Sequence, residues 1–180
     1  MRIKLFENFK DDNVLYRNTS VRWLTEFLEK KTIFPYRDRD KRFVSFSKKE
    51  DSGGADNFGD ICIEFNSKKI YAQGALEIEY DIDFFEEHSD ICMYVTGYKN
   101  ETDYYKNYDY DDAEDFQERG QGDQDVVPWD SMIEDYENEA EVVIKKLKYE
   151  DKLITNVILP EEDEKLLKLL NKLNINYKIE

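Results

Sequence analysis

The stretch Tyr136-Glu137-Asn138-Glu139-Ala140-Glu141-Val142-Val143-Ile144 runs from an acidic turn into a β-branched apolar segment. This composition predicts a strand that begins near residue 140. Side chains alternate across a strand, so we expect Glu139 and Glu141 to project from the same face. Two like charges this close cost stability unless a cation or a ligand neutralises them. The pair is consistent with a functional site, and equally with a solvated acidic turn before a buried strand.

The length of 180 residues fits one domain, residues 1–180, with a sizeable core. No apolar run reaches the roughly 18 residues that a membrane-spanning helix needs. Residues 1–6 are too few and too polar for a secretory signal. Cys62 and Cys92 are the only cysteines, which favours reduced thiols over a disulfide framework. We therefore expect a cytoplasmic protein that does not enter a membrane.

The net charge of -16 is unevenly distributed along the chain. Residues 1–49 hold 13 Lys and Arg against 7 Asp and Glu, whereas residues 50–180 hold 13 against 35. The acidic part argues against direct binding of nucleic-acid phosphates, which requires a basic surface. The basic part is local and could receive a phosphorylated small molecule or an acidic partner.

Hydrophobic periodicity predicts an α+β domain. One helix is predicted over about 21–31, where Asn18, Thr19 and Ser20 offer capping side chains. A second is predicted to open at Pro160, in the favoured first-turn position. The pattern of residues 84–94 is ambiguous. Strands are predicted at 2–6, 14–16, 43–47, 60–65, 69–71, 75–80, 140–147, 154–159 and 175–179.

Residues 99–125 form an insertion in which tyrosines stand among ten acidic residues. Low aliphatic content together with high charge predicts a mobile, irregular segment. Its tyrosines could form a surface patch that becomes ordered on a partner.

Three polar motifs fall on predicted strands: Tyr16-Arg17, Ser45-Phe46-Ser47 and Glu139-Ala140-Glu141. An arginine at a strand end can hold a phosphate group through two hydrogen bonds. Serine hydroxyls inside a strand either bond the neighbouring backbone or orient a ligand. A carboxylate can stabilise a positively charged transition state. Together these residue types suit an anionic ligand whose reaction develops positive charge.

The order of the motifs resembles the arginine–serine–glutamate class of ADP-ribosyltransferases, over about residues 15–159. The segments Phe43-Val44-Ser45-Phe46-Ser47 and Phe58-Gly59-Asp60-Ile61 are also similar to small phage-encoded members of that fold. The resemblance implies a mixed, split β-sandwich with few helices and with NAD bound as a substrate between two sheets. No metal is required by the chemistry of that family.

The resemblance also implies a role for each motif. Arg17, with Tyr16, Asn18 and Thr19 beside it, would contact the phosphates and ribose of NAD, and Ser45 and Ser47 would complete the binding strand. Ser45 would orient Glu141, and Ser47 would support the sheet. Glu141 would bond the 2′-hydroxyl of the nicotinamide ribose and stabilise an oxocarbenium-like transition state. Glu139 would position and activate an acceptor such as arginine, and Tyr136 and Trp129 would meet the protein substrate.

Two features depart from the family pattern. Asn18 follows the arginine where many members have glycine, and the acidic insertion before Glu139 has no counterpart. A single histidine, His88, argues against histidine-based catalytic triads and multi-histidine metal sites. The resemblance implies mono-ADP-ribosylation of a host or defence protein in the host cytoplasm, by a phage-encoded host-modifying or counter-defence factor. Two alternatives stay open: an inactive acidic inhibitor that covers a basic surface, and a protein that sequesters an NAD-derived nucleotide signal.

Overall fold

The computed structural model describes residues 13–33, 43–48, 59–119, 126–136 and 142–180. These residues form a mixed α+β structure of three small sheets and eight helices. The strands are β1 (Val14–Thr19), β2 (Thr32–Ile33), β3 (Val44–Phe46), β4 (Ile61–Asn66), β5 (Leu76–Glu77), β6 (Val142–Ile144), β7 (Leu147–Lys148), β8 (Ile154–Leu159) and β9 (Tyr177–Ile179). The helices are α1 (Val21–Lys30), α2 (Ser67–Ala72), α3 (Ile82–Glu87), α4 (Ser89–Thr96), α5 (Glu101–Asn107), α6 (Ala113–Arg119), α7 (Trp129–Asp135) and α8 (Glu164–Lys172).

The largest sheet has the strand order β1-β4-β8-β9. Its first three strands pair antiparallel, and β9 lies parallel to β8. The alternating residues Ile61, Ile63 and Phe65 of β4 are buried, because one face of this sheet packs against the helices α1 and α8. Ser20 caps α1 through its side chain and Asp163 caps α8 in the same way, so each helix begins at a satisfied backbone N–H group.

The second and third sheets are smaller and stand close to the first. Strands β2 and β7 form a two-stranded sheet, and β3, β6 and β5 form a three-stranded sheet with β6 in the centre. The backbones of Tyr16 and Ser47 make one further antiparallel bridge, which holds the end of β3 beside β1. This bridge places the first and third sheets edge to edge at the motif residues.

Two separate groups of buried apolar side chains hold the chain together. The first, which we call the sheet core, joins aliphatic side chains of the strands with α1, α2 and α8. The second, which we call the helical lobe, consists of residues 78–119 and 126–136, and its core is mostly aromatic. It contains α3 to α7 and packs on Phe43 and Val143 of the third sheet.

The charge of the chain divides along the same line. Residues 78–141, which connect β5 to β6, carry 22 acidic against 3 basic residues. All other residues carry 20 acidic against 23 basic residues. The net charge is therefore -19 for residues 78–141 and +3 for the rest of the chain. Nearly all of the negative charge therefore belongs to the segment that contains the helical lobe.

The structure confirms the α+β class, while the ADP-ribosyltransferase type of sandwich stays a prediction. The strands around residues 14–16, 43–47, 60–65 and 154–159 and the helix over 21–31 are confirmed. The strand predicted at 2–6 lies outside the described residues. Among those residues, no helix combines the length and apolar character needed to cross a membrane.

Several predictions of local structure were wrong. Residues 69–71 belong to helix α2 and not to a strand. The segment 84–94, for which the sequence made no prediction, belongs to helices α3 and α4 with a turn at His88 between them. The segment expected to be irregular contains α5 and α6. The expectation of few helices fails for the same reason, since aromatic burial there replaces the missing aliphatic residues. Helix α8 begins after Asp163, three residues beyond Pro160, because the Asp163 carboxylate provides the N-cap.

Candidate functional site

Arg17 lies in the middle of β1, on the side of the sheet that faces the core. Its neighbours at alternate positions, Leu15 and Thr19, are both buried. Across the sheet, Arg17 is in register with Ile63 of β4, which is in register with Val157 of β8, and both of these are fully buried. The strand pattern thus puts a guanidinium where the sheet otherwise carries apolar side chains.

The guanidinium of Arg17 is held by contacts from two other elements. Its Nη1 donates to the backbone carbonyl of Ser45 at 2.7 Å and to the Ser45 hydroxyl at 3.3 Å. The guanidinium carbon lies 4.9 Å from the ring centroid of Trp23 in α1, a cation–π contact. Its Nε–H is buried and has no hydrogen-bond partner in the described part of the chain. The group is therefore oriented and only partly satisfied.

Arg17 is a half-buried cation whose Nε atom is fully buried. Burial lowers the pKa of Arg17 to about 10, and the nearby phenol of Tyr94 acts in the opposite direction. The guanidinium thus keeps its charge at neutral pH. No carboxylate forms an ion pair with Arg17 within the described ranges. Buried charges are normally paired, so the arrangement suits an anionic ligand.

Backbone pairing brings the serine motif to Arg17. The Tyr16 N–H donates to the Ser47 carbonyl at 2.8 Å, and the Ser47 N–H donates back to Tyr16 at 2.9 Å. Strand β3 then pairs with β6, with Ser45 opposite Val143 and Phe46 opposite Val142. The arginine and serine motifs, 28 residues apart in the chain, therefore meet on neighbouring strands, and the strand that follows the glutamate motif lies next to them.

The end of β1 is fixed by a close backbone approach. Gly59 has φ +125°, and a Cβ built on it would lie 2.4 Å from the Thr19 carbonyl oxygen and 2.7 Å from the Ser20 nitrogen. Only glycine fits both the conformation and the space. Thr19 is buried at this point, whereas Asn18 is half-buried and belongs to the opposite side of the strand from Arg17.

The remaining predicted site residues fall in two groups. Glu139 and Glu141 lie outside the described residues. Trp129 and Tyr136 belong to the helical lobe, where Trp129 is only 3 % exposed and packs 5.3 Å from the ring centroid of Tyr104. The indole of Trp129 is therefore buried among aromatic side chains, and the predicted contact of Trp129 and Tyr136 with a protein substrate stays a prediction.

Two side chains near Arg17 were missed by the sequence analysis. Trp23 lies in the first turn of α1, where its ring is tilted against that of Phe27 with 5.4 Å between the ring centroids, and Tyr94 comes from α4 in the helical lobe. Trp23 had a usable signal, since a helix that folds back on its preceding strand brings its first turn near the strand residues. Tyr94 had none, because 77 residues separate it from Arg17.

Metal chemistry receives no support from the described residues, in which no group of three or more His, Cys, Asp or Glu side chains is placed to hold a metal ion. Cys92 is buried and Cys62 is half-buried, and the two are not joined by a disulfide. Comparison with protein-family models, with curated proteins and with solved structures finds no match to this chain.

Proposed function

We propose that this protein transfers ADP-ribose from NAD to a protein side chain, with arginine as the acceptor. The observation that carries the proposal is the contact of Arg17 with Ser45, at 2.7 Å and 3.3 Å, between strands that the Tyr16–Ser47 bridge joins. Arginine and serine on adjacent strands are the first two of the three motifs that the sequence shares with that class of enzyme.

The third motif, Glu139-Ala140-Glu141, directly precedes β6 in the chain, and β6 pairs with the serine strand β3. Glu141 directly precedes Val142, and Val142 is in register with Phe46, between the two serines. The proposal assigns to Glu141 the bond to the 2′-hydroxyl of the nicotinamide ribose and the stabilisation of the oxocarbenium-like transition state. Glu139, two residues earlier, would accept the proton of the acceptor nitrogen.

The proposed reaction is a nucleophilic displacement at one carbon atom. The bond between nicotinamide and the ribose C1′ breaks, and the nicotinamide leaves with the bonding electron pair. The acceptor nitrogen forms a new bond to C1′ and loses a proton to Glu139. No oxidant, reductant or metal takes part, so the side chains have only to bind, orient and stabilise charge.

The electrostatics of Arg17 support an anionic ligand of this kind. A guanidinium with a buried and unpaired Nε–H costs stability, and the pyrophosphate of NAD would supply both charge and acceptors. The rings of Trp23 and Tyr94 come from separate elements close to the same group. They would limit access of water to the bound dinucleotide.

The deciding experiment measures nicotinamide release from NAD by the purified protein, with cell lysate as a source of acceptor. The Glu141→Gln variant should lose release by at least about a thousandfold, because one well-placed electrostatic group contributes on that order. Glu161→Gln removes the same charge outside the site and should leave release unchanged. Absence of release by the unaltered protein, with lysate present, would contradict the enzyme proposal.

A second candidate function is favoured by the charge of the residues between β5 and β6. A net charge of -19 over residues 78–141 suits an inactive protein that covers a basic surface of a host or defence protein. Such an inhibitor should survive Glu141→Gln and should fail when the acidic residues of 103–118 are neutralised. Its binding should also weaken as salt increases. Sequestration of an NAD-derived nucleotide would instead appear as binding without turnover.

A further inference from the structure

A cavity of about 260 Å³ lies in the helical lobe, between α3, α4, α5 and the start of α7. This volume is below the roughly 300–1,000 Å³ of pockets that take drug-sized ligands. It suits one side chain or a small amine, and a dinucleotide would not fit. Arg17 is absent from its lining, so the cavity is distinct from the candidate NAD site. The lining residues are Ile82, Phe85, Glu86, Ser89, Cys92, Lys99, Asn100, Glu101, Thr102 and Trp129.

The wall of the cavity combines aromatic surface with uncompensated negative charge. Phe85 and Trp129 are nearly fully buried and form its apolar part. Glu86 and Glu101 form its acidic part. Neither glutamate forms an ion pair within the described part of the chain. Burial raises the pKa of Glu101, and the charges of Asp130 and Glu86 add to that effect.

One cation also borders the cavity. The side chain of Lys99 is exposed, and its backbone N–H donates to the carboxylate of Asp103 at 3.0 Å. The ammonium group makes no ion pair with Glu86 or Glu101 in the described residues. Glu86, which is exposed, and Glu101, which is half-buried, are therefore available to bind a further cation beside Phe85 and Trp129.

We propose that this cavity receives an arginine side chain of a basic partner protein. A guanidinium is planar and weakly hydrated, so it can lie against Phe85 and Trp129 while it donates to a carboxylate. The surrounding segment, with its net charge of -19, would attract a basic surface from a distance. This site does not rest on NAD chemistry and would serve an enzyme or an inhibitor equally.

The test uses the tryptophan inside the cavity as its reporter. The chain has two tryptophans, so Trp23→Phe leaves Trp129 as the only one. The full-length variant is titrated with N-acetyl-arginine amide while the fluorescence of Trp129 is recorded. N-acetyl-citrulline amide, which has the same shape without the charge, is the matched ligand control. We expect a saturable change with the arginine compound and none with citrulline at the same concentrations.

A pair of variants separates the site from the general field of the lobe. Glu101→Gln should weaken binding of the arginine compound at least tenfold, which corresponds to about 1.4 kcal/mol. Glu118→Gln removes the same charge from the exposed surface of α6 and should change the affinity less than twofold. Equal weakening by both variants, equal binding of citrulline, or no saturable signal would each overturn the proposal. Circular dichroism of both variants confirms that the fold is retained.

Discussion

The sheet core and the helical lobe differ in the side chains that they bury. The sheet core packs aliphatic residues between a four-stranded sheet and the long helices α1 and α8, in residues with almost no net charge. The lobe packs five helices of only six to eight residues around tyrosine, phenylalanine and tryptophan, in a segment of net charge -19. Large rings bury much area per residue, so a few of them can hold short helices together against their own repulsion.

The polar ends of the aromatic side chains contribute to the lobe as well. The Tyr104 hydroxyl donates to the Val127 carbonyl at 2.7 Å, and the Tyr105 hydroxyl accepts from the backbone N–H of Trp129 at 3.1 Å. Each contact ties α5 to the segment that leads into α7. Helices this short are not stable alone in water, so the lobe depends on such tertiary contacts. The sheet core, in contrast, has continuous backbone ladders of its own.

The largest change in stability is expected from Gly59→Ala, which disturbs the end of β1 in the sheet core. The added Cβ would meet the Thr19 carbonyl oxygen at 2.4 Å, and the φ of +125° is strained for alanine. We expect a loss of about 3 kcal/mol in the free energy of unfolding, measured by urea denaturation. Gly74→Ala is the matched control, because its φ is +90° but no atom lies within 4 Å of the new Cβ. A loss for Gly59→Ala no larger than for the control would show that this contact does not hold the β1 end.

Arg17→Met is expected to raise the stability of the sheet core by about 1 kcal/mol, because it replaces a half-buried cation that has no ion-pair partner in the described residues with apolar volume. The pKa of Arg17, lowered to about 10 by burial, keeps the charge and hence its cost constant between pH 6 and 8. The same substitution at exposed Arg22 should change stability by less than about 0.5 kcal/mol. Thermal unfolding of both variants measures the difference. Destabilisation by Arg17→Met would instead mark the guanidinium as a structural support.

Salt should separate the two regions. Raising the salt concentration from about 0.02 M to about 0.3 M shortens the Debye length and screens the repulsion inside the lobe. We expect the lobe to gain about 1 kcal/mol and the sheet core to gain less. The fluorescence of Trp129 in the Trp23→Phe variant follows the lobe, and that of Trp23 in Trp129→Phe follows the sheet core. Equal shifts of the two denaturation curves would mean that both regions unfold as one unit.

The smallest effect concerns the pH dependence of the lobe. Burial raises the pKa of Glu101, so its carboxylate opposes folding at pH 7 and its protonation on acidification favours the folded state. Glu101→Gln should therefore be slightly more stable than the unaltered protein at pH 7. This advantage should shrink as the pH falls through the raised pKa towards the ordinary value. Urea denaturation at pH 7 and pH 4.5 measures it, and an advantage that grows on acidification would contradict the assigned burial.

The sequence determined the elements whose patterns are local. Alternation predicted β4 and β8, and capping residues with an apolar face predicted α1, because each signal depends only on nearby side chains. The order of the motifs along the sequence also assigned Arg17 and Ser45 to the same candidate site. The helices of the lobe escaped prediction, since their stability comes from rings such as Tyr104 and Trp129 that meet only after folding.

The tertiary structure alone decided how the candidate residues are arranged. It placed the Arg17 guanidinium against Ser45 and Trp23, and it placed Trp129 in the wall of a cavity. It also brought Glu86 and Asp130, from two other helices, close enough to Glu101 to raise the pKa of its carboxyl group. Contacts between distant parts of a chain depend on strand register and helix packing. A local sequence pattern carries no information about these contacts, because each residue's partner belongs to another element.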